Sequence, residues 1–166
     1  MTDERNPAPA FHELVGGLDY PMFIATARRD DERAGCLVGF ATQCSIDPPR
    51  FLVCLSDKNY TCRVARRAEA LAVHFVPESA GELAELFGGT TGDEVDKFAR
   101  CEWREGPAGL PILAECDNWF AGAIVARHEL GDHVGFLLEP IAVSSAVPLD
   151  EFTFHRARRI EPGHEP

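Results

Sequence analysis

The chain has 166 residues, of which 45% are hydrophobic, so it is long and apolar enough for one folded domain. Its formal net charge of −11 disfavours nucleic acid as a partner, because a phosphate backbone is bound by a basic surface. No apolar run reaches the length of a membrane span, and the polar, proline-rich start lacks the pattern of a signal peptide, so we expect a cytoplasmic protein.

Short apolar runs separated by turn residues predict a chain built mainly of β-strands. Residues 1–10 are expected to form a disordered lead, and a short helix after it is predicted to end at Gly16-Gly17. The predicted strands are 22–27, 36–46, 50–56, 71–77 and two long strands on either side of the turn at Gly131-Asp132.

Two further helices are predicted where the apolar spacing changes from two residues to three or four. One begins near Asn59 or Tyr60, and the other covers 79–89, with Ser79 as its cap and glycines at its end. Because most strands are joined by hairpins, we expect an antiparallel, Greek-key-like barrel with two or three short helices attached, and not a doubly wound sheet.

A polar loop, residues 56–61, joins the third predicted strand to the following helix. The first N–H groups of a helix have no partner within it, and they favour an anion. Lys58 would add a positive charge, and Ser56, Asn59 and Thr61 would add donors. The loop therefore suits a phosphate group, although the same residues also suit an ordinary capped helix with a surface lysine.

Six segments occur in a characteristic order along the chain: "GCLVGFATQCSIDPPRFLVCLSDKNYT", "ALAVHFVPE", "LAELFGG", "DKF", "GLPIL" and "LGDHVGFLLEPIAV". In this order they resemble the flavin reductase-like family, whose members have the FMN-binding split-barrel fold. The resemblance covers residues 11–147, which we take as the domain, and leaves 148–166 as a C-terminal tail.

This resemblance implies a homodimer that binds FMN or FAD and reduces it with NADH or NADPH, and that can supply reduced flavin to a partner monooxygenase. It also implies a position for each group of candidate residues. The flavin ring would lie beside Val38, Gly39, Phe40, Ala41 and Thr42, the ribityl chain beside Ser45, the phosphate at Ser56, Lys58, Asn59 and Thr61, and the nicotinamide near His133.

His133 is the one side chain to which we assign a part in the reaction. Hydride transfer needs no protein nucleophile, because the cofactors carry the chemistry. His133 would orient the nicotinamide or supply a proton, and a solvated turn histidine is the alternative. Two other functions stay open: a non-catalytic flavin- or haem-binding split barrel, and a deazaflavin-dependent reductase.

Three further features are interpreted as structural. His74 lies in an apolar strand and is predicted to be a hydrogen-bonded core residue. The six cysteines include no Cys-x-x-Cys pair, so we expect reduced thiols in the core and no metal site. The tail contains Phe154-His155-Arg156, Arg158 and Arg159, and we expect it to pack loosely or to reach a partner subunit.

Overall fold

The computed structural model describes residues 6–146 and 148–163. Within them the chain forms four α-helices: α1 (Ala8–Gly16), α2 (Tyr60–Ala65), α3 (Gly81–Gly89) and α4 (Phe154–Ala157). It also forms nine strands: β1 (Phe23–Arg29), β2 (Glu32–Val38), β3 (Ala41–Ser45), β4 (Arg50–Ser56), β5 (Ala70–Phe75), β6 (Trp103–Glu105), β7 (Pro111–Leu113), β8 (Trp119–Glu129) and β9 (His133–Ser144). None of these helices is long and apolar enough to cross a membrane.

Seven of the strands form one antiparallel sheet in the order β2-β1-β5-β8-β9-β4-β3. The remaining two, β6 and β7, pair with each other as a separate hairpin. The mainly β, antiparallel fold predicted from the hairpin pattern is therefore confirmed.

The two edge strands of the sheet, β2 and β3, are consecutive in the chain and are joined by only Gly39 and Phe40. Such a connection spans roughly 11 Å, whereas a flat sheet of this width would separate its edges by roughly 29 Å. The sheet must therefore curl so that its two edges approach each other at this connection, as in a split barrel. A hydrogen bond of 2.8 Å from the Cys54 N–H to the Phe40 carbonyl holds the connection against β4.

Side chains alternate between the two faces of the curled sheet, and each face has its own apolar core. On β1, Phe23 belongs to the cluster inside the barrel, together with Val53 and Phe136. The next residue, Ile24, belongs to an outer cluster that α3 covers with Phe87. The short helix α2 contributes to the inner cluster and so closes one end of the barrel.

His74 is a fully buried, hydrogen-bonded core residue, as predicted. Its Nδ1 lies 3.0 Å from the Ile24 carbonyl, and its Nε2 accepts the Leu113 N–H at 3.1 Å. The amide donor at Nε2 requires a lone pair there, so the proton of the neutral ring is on Nδ1. Burial lowers the pKa of His74 to about 4, against the opposing effect of the Ile24 hydrogen bond.

Three local predictions were wrong. The predicted strand 36–46 is two strands, because the chain leaves one sheet edge at Val38 and joins the other at Ala41. Ser79 does not cap α3: the cap position is Ala80, and no side-chain cap hydrogen bond forms there. Helix α1 starts at Ala8, within the expected disordered lead, and residues 1–5 lie outside the described part of the chain.

The tail after residue 147 packs onto the domain instead of lying loosely on it. Phe152 and Ala157 are buried in the outer cluster, and isolated bridges join Pro21 to Thr153 and Pro77 to Glu151. The tail also forms α4, which brings the number of α-helices above the two or three predicted.

The cysteines divide between the core and the surface. All six are free thiols; Cys36, Cys62 and Cys116 are buried, whereas Cys44 is exposed. The core interpretation therefore holds for the buried three and is wrong for Cys44, which lies on the outer edge strand β3.

Candidate functional site

Three segments that are distant in the sequence meet at one end of the barrel. Ser56, the last residue of β4, is the register partner of His133, the first residue of β9. Beyond that pair, the Asp57 N–H donates to the Asp132 carbonyl at 2.9 Å. The rings of Phe40 and His133 lie 5.1 Å apart between centroids. The 56–61 loop, the β8–β9 turn and the β2–β3 connection therefore form one candidate site.

The 56–61 loop starts α2 with an ordinary asparagine cap. Asn59 has an extended backbone, and its Oδ1 accepts the Thr61 N–H at 2.8 Å. Its own N–H donates to the Ser56 carbonyl at 3.0 Å, which makes a tight turn around Lys58. Lys58 is exposed. The loop thus presents a lysine at its tip, while the Asn59 side chain is used at least partly to begin the helix.

Thr61 does not reach the surface that the prediction required. Its side chain is only 1% exposed, because its position in the first turn of α2 faces the barrel interior. Burial raises the pKa of the neighbouring Cys36 thiol to about 11, against the opposing effects of Lys97 and of a hydrogen bond from the Thr61 side chain. The hydroxyl of Thr61 is therefore engaged in the core, away from the Lys58 surface.

The β2–β3 connection presents both backbone and an aromatic side chain. Val38 is buried in the inner core, so only its backbone is available to a ligand. Phe40 is 56% exposed, which is unusual for a phenyl ring in a barrel wall. Ala41 begins β3, and the Thr42 hydroxyl donates to the Gln43 carbonyl at 3.1 Å. An exposed apolar ring beside polar backbone suits a flat, partly apolar ligand.

Because Gly39 has no side chain, Tyr20 and Met22 can pack closely against the β2–β3 connection. A Cβ placed there would lie 3.0 Å from a ring carbon of Tyr20 and 3.4 Å from the Met22 sulfur. Tyr20 itself stacks on Phe154, with ring centroids 4.7 Å apart and an interplanar angle of 13°. Sequence reasoning missed Tyr20, because its contacts are with Gly39 and with Phe154 of the tail, which no local pattern reveals.

Ser45 is not grouped with the other candidates. It pairs with Arg50 at the far end of β3, whereas Ala41 pairs with Val53 near the site. Four residues of extended strand separate Ser45 from Ala41, or roughly 13 Å. The predicted ribityl contact of Ser45 is therefore not supported by its position.

His133 is oriented by its neighbour in the turn. Its Nδ1 lies 2.6 Å from Asp132 Oδ1, and the hydrogen bond from His133 holds the pKa of that carboxyl below its ordinary value. Because Nδ1 is engaged, Nε2 is the ring nitrogen that can meet a ligand. The β8–β9 turn therefore holds the His133 ring in one orientation next to the Phe40 ring.

The flavin reductase like domain family matches residues 15–161. The chain belongs to this family. The match extends past residue 147 into the tail, which agrees with the packing of α4 against the body of this flavin reductase domain.

Curated relatives carry related names. "Probable flavin reductase" of Rhizobium meliloti is 29% identical over 138 residues, which are 81% of this chain and 42% of that protein. "FMN reductase (NADH) RutF" of Methylorubrum extorquens is 28% identical over 151 residues, 91% of this chain and 73% of the relative. The "4-hydroxyphenylacetate 3-monooxygenase reductase component" of Pseudomonas aeruginosa is 28% identical over 131 residues, 78% of this chain and 77% of the relative. The domain thus spans less than half of the first of these proteins.

The fold is shared with a solved structure, the NADH:FAD oxidoreductase SgcE6 of Streptomyces globisporus C-1027. The TM-score is 0.82 at 22% sequence identity, and the superposition covers 93% of this chain and 91% of that one. At this identity the likeness concerns the fold, which is the split barrel predicted from the sequence.

Proposed function

We propose that this domain is an NAD(P)H:flavin oxidoreductase that transfers hydride from NADH or NADPH to FMN or FAD. The observation that carries the proposal is the convergence of Phe40, Lys58 and His133 at one end of the barrel. Family membership and the names of the relatives, one of which is an FMN reductase that uses NADH, support the same activity.

The residues present fit a flavin phosphate. The chain has only two lysines, and Lys97 is buried, with its Nζ donating to the carbonyls of Gly35 at 2.9 Å and Phe87 at 3.1 Å. Lys58 is therefore the one lysine exposed in the described chain, and it stands on the loop next to the β8–β9 turn. In a chain of net charge −11, a local positive group is what an anionic cofactor needs.

The β2–β3 connection would bind the flavin ring. The backbone of Val38, Gly39 and Ala41 offers donors and acceptors, and the exposed Phe40 ring offers apolar surface that excludes water. When bound, the flavin supplies the hydride-accepting chemistry. His133, fixed through Nδ1 by Asp132, would hold the nicotinamide through Nε2 or move a proton at that atom.

We also propose that the protein is a cytoplasmic homodimer and that its reduced flavin serves a monooxygenase. An apolar cavity of about 390 Å³ is lined in part by Phe51, Phe75 and Val143. Val143 and the nearby Ile141 are exposed apolar residues of strand β9. Such a patch favours a second copy as its cover. The relative from Pseudomonas aeruginosa, named as a monooxygenase reductase component, supports the proposal of a monooxygenase partner.

The test is the absorbance spectrum of the purified protein followed by NADH and NADPH oxidation with added FMN and FAD. The proposal expects flavin absorbance on binding and nicotinamide oxidation that depends on flavin. A Soret band would indicate the haem-binding alternative, and absorbance shifted to shorter wavelength would indicate a deazaflavin. Flavin binding without nicotinamide oxidation would leave a non-catalytic flavin-binding barrel.

A further inference from the structure

Helix α4 and the residues after it place an unusual concentration of positive charge on an acidic protein. A cavity of about 540 Å³ is lined by His155, Arg156, Arg158 and Arg159. The chain as a whole carries a net charge of −11. A cavity whose walls are three arginines and a histidine favours an anion over any other small ligand.

The nearby carboxylates neutralise only part of the positive charge of these side chains. Arg156 pairs with Glu78, and His155 Nδ1 lies 3.6 Å from Asp19 Oδ2. Within residues 6–146 and 148–163, Arg158 and Arg159 form no ion pair. Two guanidinium groups therefore face the cavity region without a counter-charge from the described chain.

The ring of His155 leaves one polar atom unsatisfied in this region. The Nε2 atom of His155 is buried and has no hydrogen-bond partner among the described residues. Buried polar atoms are almost always hydrogen-bonded, because an unsatisfied one keeps its full cost of desolvation. Nδ1 of the same ring faces the Asp19 carboxylate and carries the proton of the neutral ring, which leaves Nε2 as an acceptor. His155 therefore adds a polar ring to the cavity wall but no donor to an anion, and the arginines are the anion-binding groups.

The fold holds this cavity in place. The His155 N–H donates to Asp19 Oδ1 at 3.0 Å, and the Phe154 N–H donates to the Tyr20 carbonyl at 2.9 Å. Buried Phe152 and Ala157 fix the helix to the outer core on either side of these bonds. A site on such a support loses little conformational freedom when it binds its ligand.

The cavity also lies close to the candidate site. Tyr20 stacks on Phe154 on one side and approaches Gly39 on the other, so a single aromatic layer separates the start of α4 from the β2–β3 connection. A ligand with a reactive ring at Phe40 and an anionic group some distance along its length could contact both. Dinucleotides have this form, with a pyrophosphate between two nucleosides.

We propose that the α4 cavity binds the pyrophosphate group of a dinucleotide, with Arg158 and Arg159 as its main ligands. Planar guanidinium groups bind phosphate oxygens in pairs and are suited to this role. The binding of pyrophosphate does not depend on the proposed function. The assignment of that pyrophosphate to a dinucleotide rests on the proposed function.

Calorimetric titration of the full chain with inorganic pyrophosphate at low ionic strength tests the site. One molecule is expected to bind per chain, with affinity lowered about ten-fold in Arg158→Ala and in Arg159→Ala. Arg29→Ala is the matched control, because it removes an exposed arginine at the opposite end of β1. It should bind pyrophosphate as the parent does.

Three results would overturn the site: no binding to the parent, equal affinity in the parent and both α4 variants, or a loss confined to Lys58→Ala. The last result would place the pyrophosphate on the 56–61 loop. Circular dichroism of each variant shows that the fold is retained. These arginines are exposed, so we expect no change.

Steady-state kinetics then distinguishes the two dinucleotides that carry a pyrophosphate. With FMN as acceptor, a ten-fold higher KM for NADH in Arg158→Ala at unchanged kcat would identify the nicotinamide dinucleotide. A higher KM for FAD but not for FMN would identify the flavin dinucleotide. If both KM values stay unchanged while pyrophosphate binding is lost, the dinucleotide assignment is wrong. If the parent does not oxidise the nicotinamide, the proposed function is wrong, but the calorimetric evidence for a pyrophosphate site is unaffected.

Discussion

The imidazole ring of His133 lies 5.1 Å from the phenyl ring of Phe40, at an interplanar angle of 46°. This contact joins the β8–β9 turn to the connection that closes the barrel. Both rings stand next to the loop that presents Lys58, because Ser56 and His133 are register partners. The candidate reaction site is therefore built from connections between strands, which a rigid barrel holds in place.

Replacement of His133 by alanine should slow hydride transfer without weakening flavin binding. If His133 orients the nicotinamide, its loss should lower the rate of flavin reduction about ten-fold, which corresponds to about 1.4 kcal/mol at the transition state. Stopped-flow reduction of pre-bound flavin by NADH or NADPH measures this step apart from product release.

The matched control for this prediction is His128→Ala, which removes an exposed histidine from the same hairpin. It should reduce flavin at the parent rate. Equal rates in His133→Ala and the parent would return His133 to a solvated turn residue and would strengthen the non-catalytic binding alternative.

Replacement of Lys58 by alanine should weaken FMN binding and leave riboflavin binding unchanged. Riboflavin lacks the phosphate, so it serves as the control ligand. The loss of one charge-assisted contact should cost about 1.5–3 kcal/mol. Fluorescence titration of both flavins measures the difference, and Lys58→Arg should keep most of the FMN affinity. A parallel loss for riboflavin would mean that the phosphate lies elsewhere.

The buried His74 should make the protein less stable as the pH falls from about 6.5 to about 4. In this window the unfolded chain binds a proton at His74 and the folded chain does not, because its folded pKa is lowered to about 4. The free energy of unfolding should therefore fall with pH and level off below pH 4, with a total of about 3 kcal/mol.

Urea unfolding between pH 7.5 and 4 isolates this effect when the parent is compared with His74→Asn. An asparagine amide can donate to the Ile24 carbonyl from the position of Nδ1 and does not titrate. It leaves the Leu113 N–H unpaired, which lowers stability equally at every pH and does not affect the slope. The variant should lack the His74 part of the pH slope, whereas His12→Gln, at an exposed helix position, should retain it. Identical slopes in the parent and His74→Asn would contradict the assigned pKa.

Replacement of Gly35 by alanine should destabilise the fold by about 1–3 kcal/mol through overpacking. A Cβ at Gly35 would lie 2.7 Å from a ring carbon of Phe87, which is itself buried. Gly16→Ala is the matched control, since nothing lies within 4 Å of the added carbon and the residue ends α1. Thermal unfolding should lower the Tm for Gly35→Ala only.

Light scattering should report a mass of twice the 18.2 kDa chain if the homodimer forms. Val143→Glu introduces a charge beside the apolar cavity and should shift the protein toward the monomer. Leu14→Glu places the same charge on the exposed face of α1 and is the control. A parent that runs at the mass of one chain at working concentration would rule out the proposed dimer.

The hairpin pattern and the apolar runs predicted a mainly β, antiparallel fold, and the family resemblance added the split barrel. The buried state of His74 followed from its apolar strand. The break between β2 and β3 was not predictable from periodicity. An apolar run indicates that a segment is buried, but it does not indicate which strand the segment pairs with. A segment that crosses from one sheet edge to the other is therefore predicted as a single strand.

The members of the candidate site stay predictions, and the structure separates two of them from the surface that carries Lys58. Asn59, Lys58 and His133 could be proposed from the sequence because turn and cap residues have local signatures. Thr61 and Ser45 depend on direction and register, which the sequence does not record: one faces the core, and the other pairs with Arg50 at the far end of its strand. Tyr20 has no local signal at all.

The burial of Lys97 makes the protein convenient for site-selective chemistry. Lys97 is 5% exposed, which leaves Lys58 as the single side-chain amine within reach of an acylating reagent in the described chain. One fluorophore or cross-linker can therefore be attached at the 56–61 loop without mutagenesis, and peptide mapping separates it from any label on the amino terminus. Slower acylation of Lys58 in the presence of FMN, with no change in the presence of riboflavin, would show a phosphate next to this amine.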